Sequence, residues 1–136
     1  MVDQQLWEKE REFSTRNHFA VYNGMRMTEL EPDRAVFCMD IRPESCNPLE
    51  IVHGGALFAM ADCAGGMAVR TDGRSYVTQN ASINFLRAQS QGQVRAEAVV
   101  RRRGKTTCLV AVDISDDQGR LTATGTFTFY CVGNGT

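Results

Sequence analysis

A single carboxylate within an apolar segment is the residue of this chain whose type and position best suit chemistry. Asp62 is the only charged residue between Gly54 and Val69, where Ala, Met, Leu and Phe predominate. Burying an unpaired carboxylate costs several kcal/mol. Such a group must therefore accept hydrogen bonds, have a raised pKa, or lie in a cavity where it acts. The alternative is that Asp62 lies on a solvent-facing edge of a helix.

The apolar run is preceded by a group of three residues that is suited to binding a carbonyl group. They are His53, Gly54 and Gly55, at the predicted start of a helix. The first backbone N–H groups of a helix lack partners and have the positive end of the dipole behind them. Such donors polarise a carbonyl and stabilise the oxyanion formed on it. The alternative is a glycine-rich loop that needs positive φ, preceded by a structural histidine.

The spacing of a third residue makes the combined pattern more specific than any of its parts. Asn47 lies six residues before His53, and Asp62 lies nine residues after it. In this arrangement a neutral His53 imidazole could orient Asn47 or the loop without acting as the main base. Cys63, next to Asp62, has no second histidine nearby in sequence to activate it, so a small core residue is favoured over a nucleophile.

The elements that must position these residues follow from hydrophobic periodicity. A helix that is apolar all round, as over 54–69, is a buried helix. Residues 3–17 predict a short amphipathic helix, 43–52 an irregular loop and 132–136 a frayed tail. Period-two patterns predict strands over 35–41, 75–87, 94–102 and 120–131, and a further strand is predicted over 25–30. Residues 107–114 are apolar on both faces, which predicts a central strand. In the strand at 75–87, one face is predicted to carry Val77, Gln79, Ala81, Ile83 and Phe85. One buried helix and a meander of strands predict an α+β domain whose antiparallel sheet curves around the helix.

Composition sets the class of protein. The chain has 136 residues, with 43% hydrophobic and 23% charged residues, which predicts one soluble globular domain spanning 1–136. A net charge of −1 argues against nucleic-acid and anionic-membrane partners. Two histidines exclude a His-rich metal site, and we expect no metal. Five cysteines without C-x-x-C spacing predict a reducing, cytoplasmic setting. The chain shows no signal-peptide pattern and no membrane-length apolar run.

A basic cluster is the main charged feature of the second half of the chain. Its members are Arg87, Arg101, Arg102, Arg103 and Lys105, and Gly104 lies in the turn between the last two. Arginine and lysine suit capture of phosphate groups. The alternative, equally weighted, is that they are the solvated ends of a hairpin. No aromatic residues interleave with them, which disfavours single-stranded nucleic acid as a ligand.

Three stretches together resemble the hot-dog-fold acyl-CoA thioesterases of the phenylacetate-pathway (PaaI) type. The first comprises Asn47-Pro48 and the run from Val52 to Asp62. The second, Ser82 to Ala88, is similar to the family's I-x-F-L-R-P strand, with Ala88 replacing the usual proline. The third is Arg103-Gly104-Lys105, followed by an apolar strand and a D-x-x-G hairpin. The resemblance runs from about Phe19 to Tyr130 and implies a hot-dog fold.

The resemblance also implies a role for each matched position of the pattern. Asp62 is implied as general base or nucleophile on the thioester. Gly54 and Gly55 are implied to present backbone N–H donors to its carbonyl. Asn47 is implied to help bind that carbonyl or the water, and His53 to orient Asn47 and the loop.

Assembly and cofactor use follow from the same resemblance. Thr78 falls where related enzymes place a Ser or Thr that positions the attacking water. In the family this residue and Asp62 face the carbonyl-binding loop of a partner subunit, which implies a homodimer and, as a dimer of dimers, a homotetramer. CoA is part of the substrate, and no metal or organic cofactor is implied. Glu50 stands where the family usually has Gly, which puts the loop geometry in question.

Two other functions stay open beside acyl-CoA hydrolysis to a free acid and CoA. One is a non-catalytic acyl-CoA-binding or sensing module, which would bind CoA esters tightly without turnover. The other is a hot-dog hydratase or dehydratase, which needs a His paired with an acidic residue in a sequence context that this chain lacks.

Overall fold

A computed structural model describes residues 3–134 of the chain. It has three α-helices, α1 (Gln4–Thr15), α2 (His18–Tyr22) and α3 (Gly54–Arg70), and a short 3₁₀ turn at Pro43–Ser45. The six strands are β1 (Met25–Glu31), β2 (Arg34–Asp40), β3 (Arg74–Phe85), β4 (Gln93–Arg103), β5 (Thr107–Ser115) and β6 (Leu121–Asn134). No helix within residues 3–134 is long and apolar enough to cross a membrane.

The strands form one antiparallel sheet in the order β1-β2-β4-β5-β6-β3, and α3 contacts all six of them. The predicted α+β architecture, a sheet curved around one buried helix, is therefore confirmed. The predicted meander holds for β4, β5 and β6 only. Because α3 carries the chain across the concave face, β3 joins the sheet at its far edge beside β6, and β2 pairs with β4.

Helix α3 is the centre of the core, as its apolar sequence predicted. Its inward side chains, among them Leu57, Met60 and Ala64, are buried. Gly65 lies directly under the Phe129 ring, and a Cβ atom at this position would be 2.9 Å from that ring. Only glycine thus allows β6 to approach the helix this closely. This contact fixes the helix against β6, the strand that pairs with β3.

The face of β3 that packs on α3 differs from the prediction. The register with β6 shifts between Thr78 and Asn80, so Gln79 is an extra residue in a β-bulge. Before the bulge, Tyr76 packs against the core, while Val77 is 51% exposed. After the bulge, Ala81 and Ile83 pack inward as predicted. The prediction that Val77 and Gln79 share this face was therefore wrong, because a bulge reverses the side-chain alternation.

The N-terminal helix is anchored more firmly than its modest apolar stripe suggested. Glu10 on α1 is buried and pairs with Arg70 at the end of α3, at 2.7 Å between Oε2 and Nε. The Arg70 guanidinium also lies 3.5 Å from the Phe13 ring centroid. Helix α2 was not predicted.

At the other end of the chain, residues 132–134, which we expected in a frayed tail, continue β6. Residues 135 and 136 of that predicted tail lie outside the described residues.

Candidate active site

Asp62 and Thr78 form a hydrogen-bonded pair between α3 and β3. The Thr78 hydroxyl donates to Asp62 Oδ1 at 2.5 Å. Thr78 shares the inward face of β3 with Tyr76, and the bulge at Gln79 is what allows Ala81 to face inward as well. A strand that kept strict alternation could not direct both Thr78 and Ala81 towards the helix. The bulge therefore creates the contact with Asp62.

Asp62 is half-buried and lines a cavity of about 570 Å³. Most of the larger side chains in its wall are aromatic or sulfur-containing: Phe13, Phe37, Met67, Tyr76 and Phe129. Arg16 and Asn17, from the connection after α1, form part of its rim. A concave, mainly apolar pocket with a few convergent polar groups is the usual form of a small-molecule site. The site prediction missed the N-terminal segment; its only signal was Phe13 in the apolar stripe of α1.

The start of α3 carries one backbone donor that is not already used. His53 caps the helix, and its Nδ1 accepts the N–H of Gly55 at 2.7 Å. The His53 carbonyl accepts the N–H groups of Ala56 and Leu57. Among the described residues no acceptor bonds the N–H of Gly54, so this group is the one available to a ligand carbonyl. Acceptance at Nδ1 requires a neutral imidazole with its proton on Nε2.

Asn47 orders the loop before the helix. Its Oδ1 accepts the N–H of Leu49 at 2.9 Å and that of Ile51 at 3.4 Å. Glu50 has a φ of 63°, the left-handed region that favours glycine. Glu50 thus has a backbone conformation that glycine adopts without strain. Within the described part of the chain, His53 makes no hydrogen bond to Asn47.

The site residues fall into two separate groups in one chain. Asn47 and Gly54 line a second cavity of about 310 Å³, together with Phe85 and Arg87, whereas Asp62 lines the larger one. Eight residues of α-helix separate Gly54 from Asp62, which is about 12 Å along the axis. A single thioester carbonyl cannot reach both groups in the same chain.

The residues of the basic cluster differ in their contacts and in their exposure. Arg103 is engaged within the chain: Nη2 lies 2.7 Å from Asp33 Oδ1, and Nη1 lies 2.6 Å from Asp72 Oδ2. Arg87, Arg101, Arg102 and Lys105 are exposed. In the turn, a Cβ atom on Gly104 would be 2.8 Å from the Thr107 carbonyl oxygen, so the turn needs glycine for space. The predicted CoA-binding roles of this cluster stay predictions.

The carboxylate of Asp72 gives the Arg103 network a pH dependence. Burial alone would raise the pKa of Asp72, but hydrogen bonds from Tyr76 and Arg74 and the charge of Arg103 lower it below its usual value. The stabilisation is then complete above the unfolded pKa of about 3.9 and is lost as the pH falls through the lower folded value.

We therefore expect Asp72→Asn to reduce the free energy of unfolding by a constant amount between about pH 5 and 7, where both the folded and the unfolded Asp72 are ionised. That difference should shrink below about pH 4, because the wild-type carboxylate then loses its charge. Urea denaturation at a series of pH values measures it. A difference that stayed the same down to the acid end of the series would contradict the role given to the ionised Asp72.

Cys63 lines the same cavity as Asp62 but is a poor nucleophile. Burial, and then the negative charge of Asp62, raise the pKa of Cys63 to about 11. Fewer than about one thiol in a thousand is then ionised near neutral pH, and the thiolate is the reactive form. We expect Cys63→Ala to keep kcat within about threefold of wild type. A steady-state assay checks this, and a hundredfold loss would make the thiol part of the chemistry.

Comparison with known proteins shows which family and which solved structures this chain is similar to. A family model described as Thioesterase superfamily matches residues 49–123. The acyl-coenzyme A thioesterase PaaI of Escherichia coli is 27% identical over 123 residues, which are 90% of this chain and 88% of the relative. The solved structure of the E. coli PaaI protein from the phenylacetic acid degradation operon has a TM-score of 0.92 at 24% identity, covering 99% of each chain.

A second solved structure was obtained with a ligand. It is the crystal structure of a hypothetical thioesterase with coenzyme A from Streptococcus pneumoniae, with a TM-score of 0.80 at 28% identity. The match covers 85% of this chain and 94% of that one. Together these likenesses confirm the predicted hot-dog fold.

Proposed function

We propose that this chain, which belongs to the thioesterase superfamily, hydrolyses acyl-CoA thioesters, and that its residues divide the work as follows. The observation that carries the proposal is the Thr78–Asp62 hydrogen bond in the larger cavity. It joins a carboxylate able to accept a proton to a hydroxyl able to hold a water molecule beside it.

The reaction needs one base and one oxyanion donor. Asp62 Oδ1 is bonded to Thr78, so Oδ2 takes the proton of a water molecule held against the Thr78 oxygen. The hydroxide adds to the thioester carbon, and the Gly54 N–H stabilises the oxyanion. When the carbonyl re-forms, the C–S bond breaks, and the CoA thiolate leaves and takes up the proton that Asp62 removed from water, which regenerates the carboxylate. The alternative is direct attack by Asp62, which gives an anhydride that water then hydrolyses.

Neither course uses a metal or an organic cofactor, since a carboxylate, a hydroxyl and a backbone N–H supply every group. The two courses differ in where oxygen from labelled water enters. Under single-turnover conditions in H₂¹⁸O, a base mechanism labels the product acid alone. Attack by Asp62 gives an anhydride, and ¹⁸O enters the Asp62 side chain when water adds to the Asp62 carbonyl, so label in the protein identifies this course. Mass spectrometry of the acid and of the protein distinguishes them.

We infer that the complete site lies between two copies of the chain. Asp62 and Gly54 are too far apart in one copy, and within residues 3–134 β3 is a long edge strand whose one partner is β6. An unpaired edge is a template for another strand. Two β3 strands that pair antiparallel about a twofold axis between residues 81 and 82 place Thr78 opposite Phe85 of the second copy. Phe85 packs over Gly54, since a Cβ atom on Gly54 would be 3.4 Å from its ring.

Exposed apolar side chains support further assembly. Val77 and Phe85 on β3 are 51% and 53% exposed, and β3 pairing would cover them. Leu109 and Tyr130, on β5 and β6, are also exposed. We propose that they contribute to the contact between two dimers in a homotetramer. Light scattering measures the mass.

We propose that the acyl group and the CoA group bind at separate parts of the protein. The ring-lined walls of the 570 Å³ cavity suit an aromatic acyl group, which supports an enzyme of the phenylacetate-pathway type. Arg87, Arg102 and Lys105 are exposed and would contact the CoA phosphates.

The five cysteines are all free, which supports a reducing compartment such as the cytoplasm.

A panel of acyl-CoA esters tests this function. Phenylacetyl-, benzoyl-, butyryl- and palmitoyl-CoA are supplied to the purified protein, and free CoA is measured over time. We expect hydrolysis of at least one ester, with the highest kcat/KM for an aromatic acyl group. Tight binding of every ester without release of CoA would instead favour the acyl-CoA-binding module, and hydration of an enoyl-CoA would favour a hydratase.

A further inference from the structure

Arg103 holds together the two elements that carry Asp62 and Thr78. It lies at the end of β4 with its side chain 23% exposed. Nη1 is 3.0 Å from the Val69 carbonyl oxygen, in the last turn of α3, and 3.0 Å from the Tyr76 hydroxyl, on β3. The same nitrogen is 2.6 Å from Asp72 Oδ2, in the connection between α3 and β3. One guanidinium group thus bridges the helix, the strand and their connection.

These contacts lie in register with the Asp62–Thr78 pair. Val69 is seven residues after Asp62, which is two turns along the same side of α3. Tyr76 is two residues before Thr78, so both side chains are on the inward face of β3. The Tyr76 hydroxyl also donates to Asp72 Oδ2 at 2.5 Å. Arg103 therefore sets the separation of helix and strand close to the place where their side chains meet.

We infer that Arg103 is a positioning residue for the Asp62–Thr78 pair and not a ligand of the CoA phosphates. The inference rests on the proposed function, because it concerns the geometry of that site. Arg103 already pairs with two carboxylates, those of Asp33 and of Asp72, and shares Asp72 with Arg74. The guanidinium fork is directed into the chain, whereas the neighbouring Arg102 and Lys105 are exposed. A displacement of about 1 Å at a reacting group can cost a hundredfold in rate.

The division of effects between kcat and KM tests this role. We expect Arg103→Met to lower kcat by roughly ten- to a hundredfold while KM for the acyl-CoA stays within about twofold. Arg103→Lys should recover only part of kcat, because an ammonium group cannot reproduce the planar fork. Arg102→Met and Lys105→Met should instead raise KM, since they remove contacts made equally in the ground and transition states.

Arg34 provides the matched control. Its side chain is 25% exposed and contacts three carboxylates, those of Glu29, Glu31 and Glu97, none of which lines the cavity that contains Asp62. Arg34→Met removes a comparable network and should leave kcat unchanged. Equal losses of kcat in both variants would show a general effect on the fold and would overturn the inference.

A double variant shows whether Arg103 acts through Thr78. In a Thr78→Val background, Arg103→Met should cause little further loss of kcat, because the group that it positions is gone. If the losses of kcat in the two single variants multiply in the double variant, the inference is contradicted. An Arg103→Met variant with a raised KM and an unchanged kcat would also contradict it. If Arg103→Met does not fold, Tyr76→Phe removes one link of the network and should lower kcat severalfold without changing KM. Absence of turnover in the wild-type protein would instead overturn the proposed function.

Discussion

Replacing Asp62 by Asn should lower kcat by about 10²- to 10⁴-fold, the usual contribution of a general base. The substitution keeps the size of the side chain and an oxygen that can accept the Thr78 hydroxyl, which donates to Asp62 Oδ1 at 2.5 Å. It removes the negative charge needed to take a proton from water or to attack the carbonyl. Because the shape is kept, KM should change little, and the loss should appear in kcat.

A second Asp–Thr pair in the sheet supplies the control for this substitution. The Thr124 hydroxyl donates to Asp113 Oδ1 at 2.7 Å, where Asp113 is exposed, Thr124 is half-buried and neither lines the cavity. Asp113→Asn makes the same chemical change and should leave kcat and KM as they are. Asp62→Asn with wild-type turnover of acyl-CoA esters would overturn the proposed mechanism.

Removing Glu10 should destabilise the protein more than any other single change considered above. Glu10 is 2% exposed and Arg70 is 8% exposed, and their side chains meet at 2.7 Å. Glu10→Ala leaves the Arg70 guanidinium buried without its counter-charge. The loss of one partner of a buried pair typically costs about 3–5 kcal/mol in the free energy of unfolding. Urea denaturation at neutral pH measures this loss.

Two further variants separate the ion pair from the packing of α1. Glu12→Ala, at an exposed position on the same helix, should change the free energy of unfolding by no more than about 0.5 kcal/mol. The double variant Glu10→Leu with Arg70→Met replaces the pair by apolar side chains and should recover most of the stability. A Glu10→Ala loss below about 1 kcal/mol, in the range of an exposed pair, would mean that Arg70 is not buried in solution.

Much of the fold follows from the sequence because its main signals are local. The apolar run in α3 contains one charge before Arg70, and such a segment can only be a buried helix surrounded by the sheet. The β3 bulge was missed because it depends on the register with β6, and nothing in the residues around Gln79 signals it. The order of the strands was missed for the same reason, since pairing of β3 with β6 is a long-range choice.

The site residues also divide into those that local sequence signals indicate and those that depend on long-range contacts. Asp62 and the start of α3 could be predicted as site residues because residue type and spacing are visible in the chain. The contacts of Arg103 could not, because Asp72 and Asp33 lie 31 and 70 residues away from it. The start of α3 adds a refinement: His53 accepts the Gly55 N–H, so of the two glycines Gly54 has the available donor.

The division of one site between two chains is the central claim, and mixed dimers test it most directly. Gly54 is the first residue of α3, where proline is well tolerated, so Gly54→Pro removes the N–H donor without breaking the helix. It should lower kcat by about 10²- to 10³-fold, and Gly54→Ala, which keeps the N–H, is its control.

The measurement itself is the activity of a dimer that contains one Asp62→Asn chain and one Gly54→Pro chain, purified through two different tags. If each site takes Asp62 from one copy and Gly54 from the other, one of the two sites in this dimer is intact. We expect about half of the wild-type activity per dimer, far above either variant alone. Activity no higher than that of the two single variants would mean that each chain holds its own complete site, and would contradict the account.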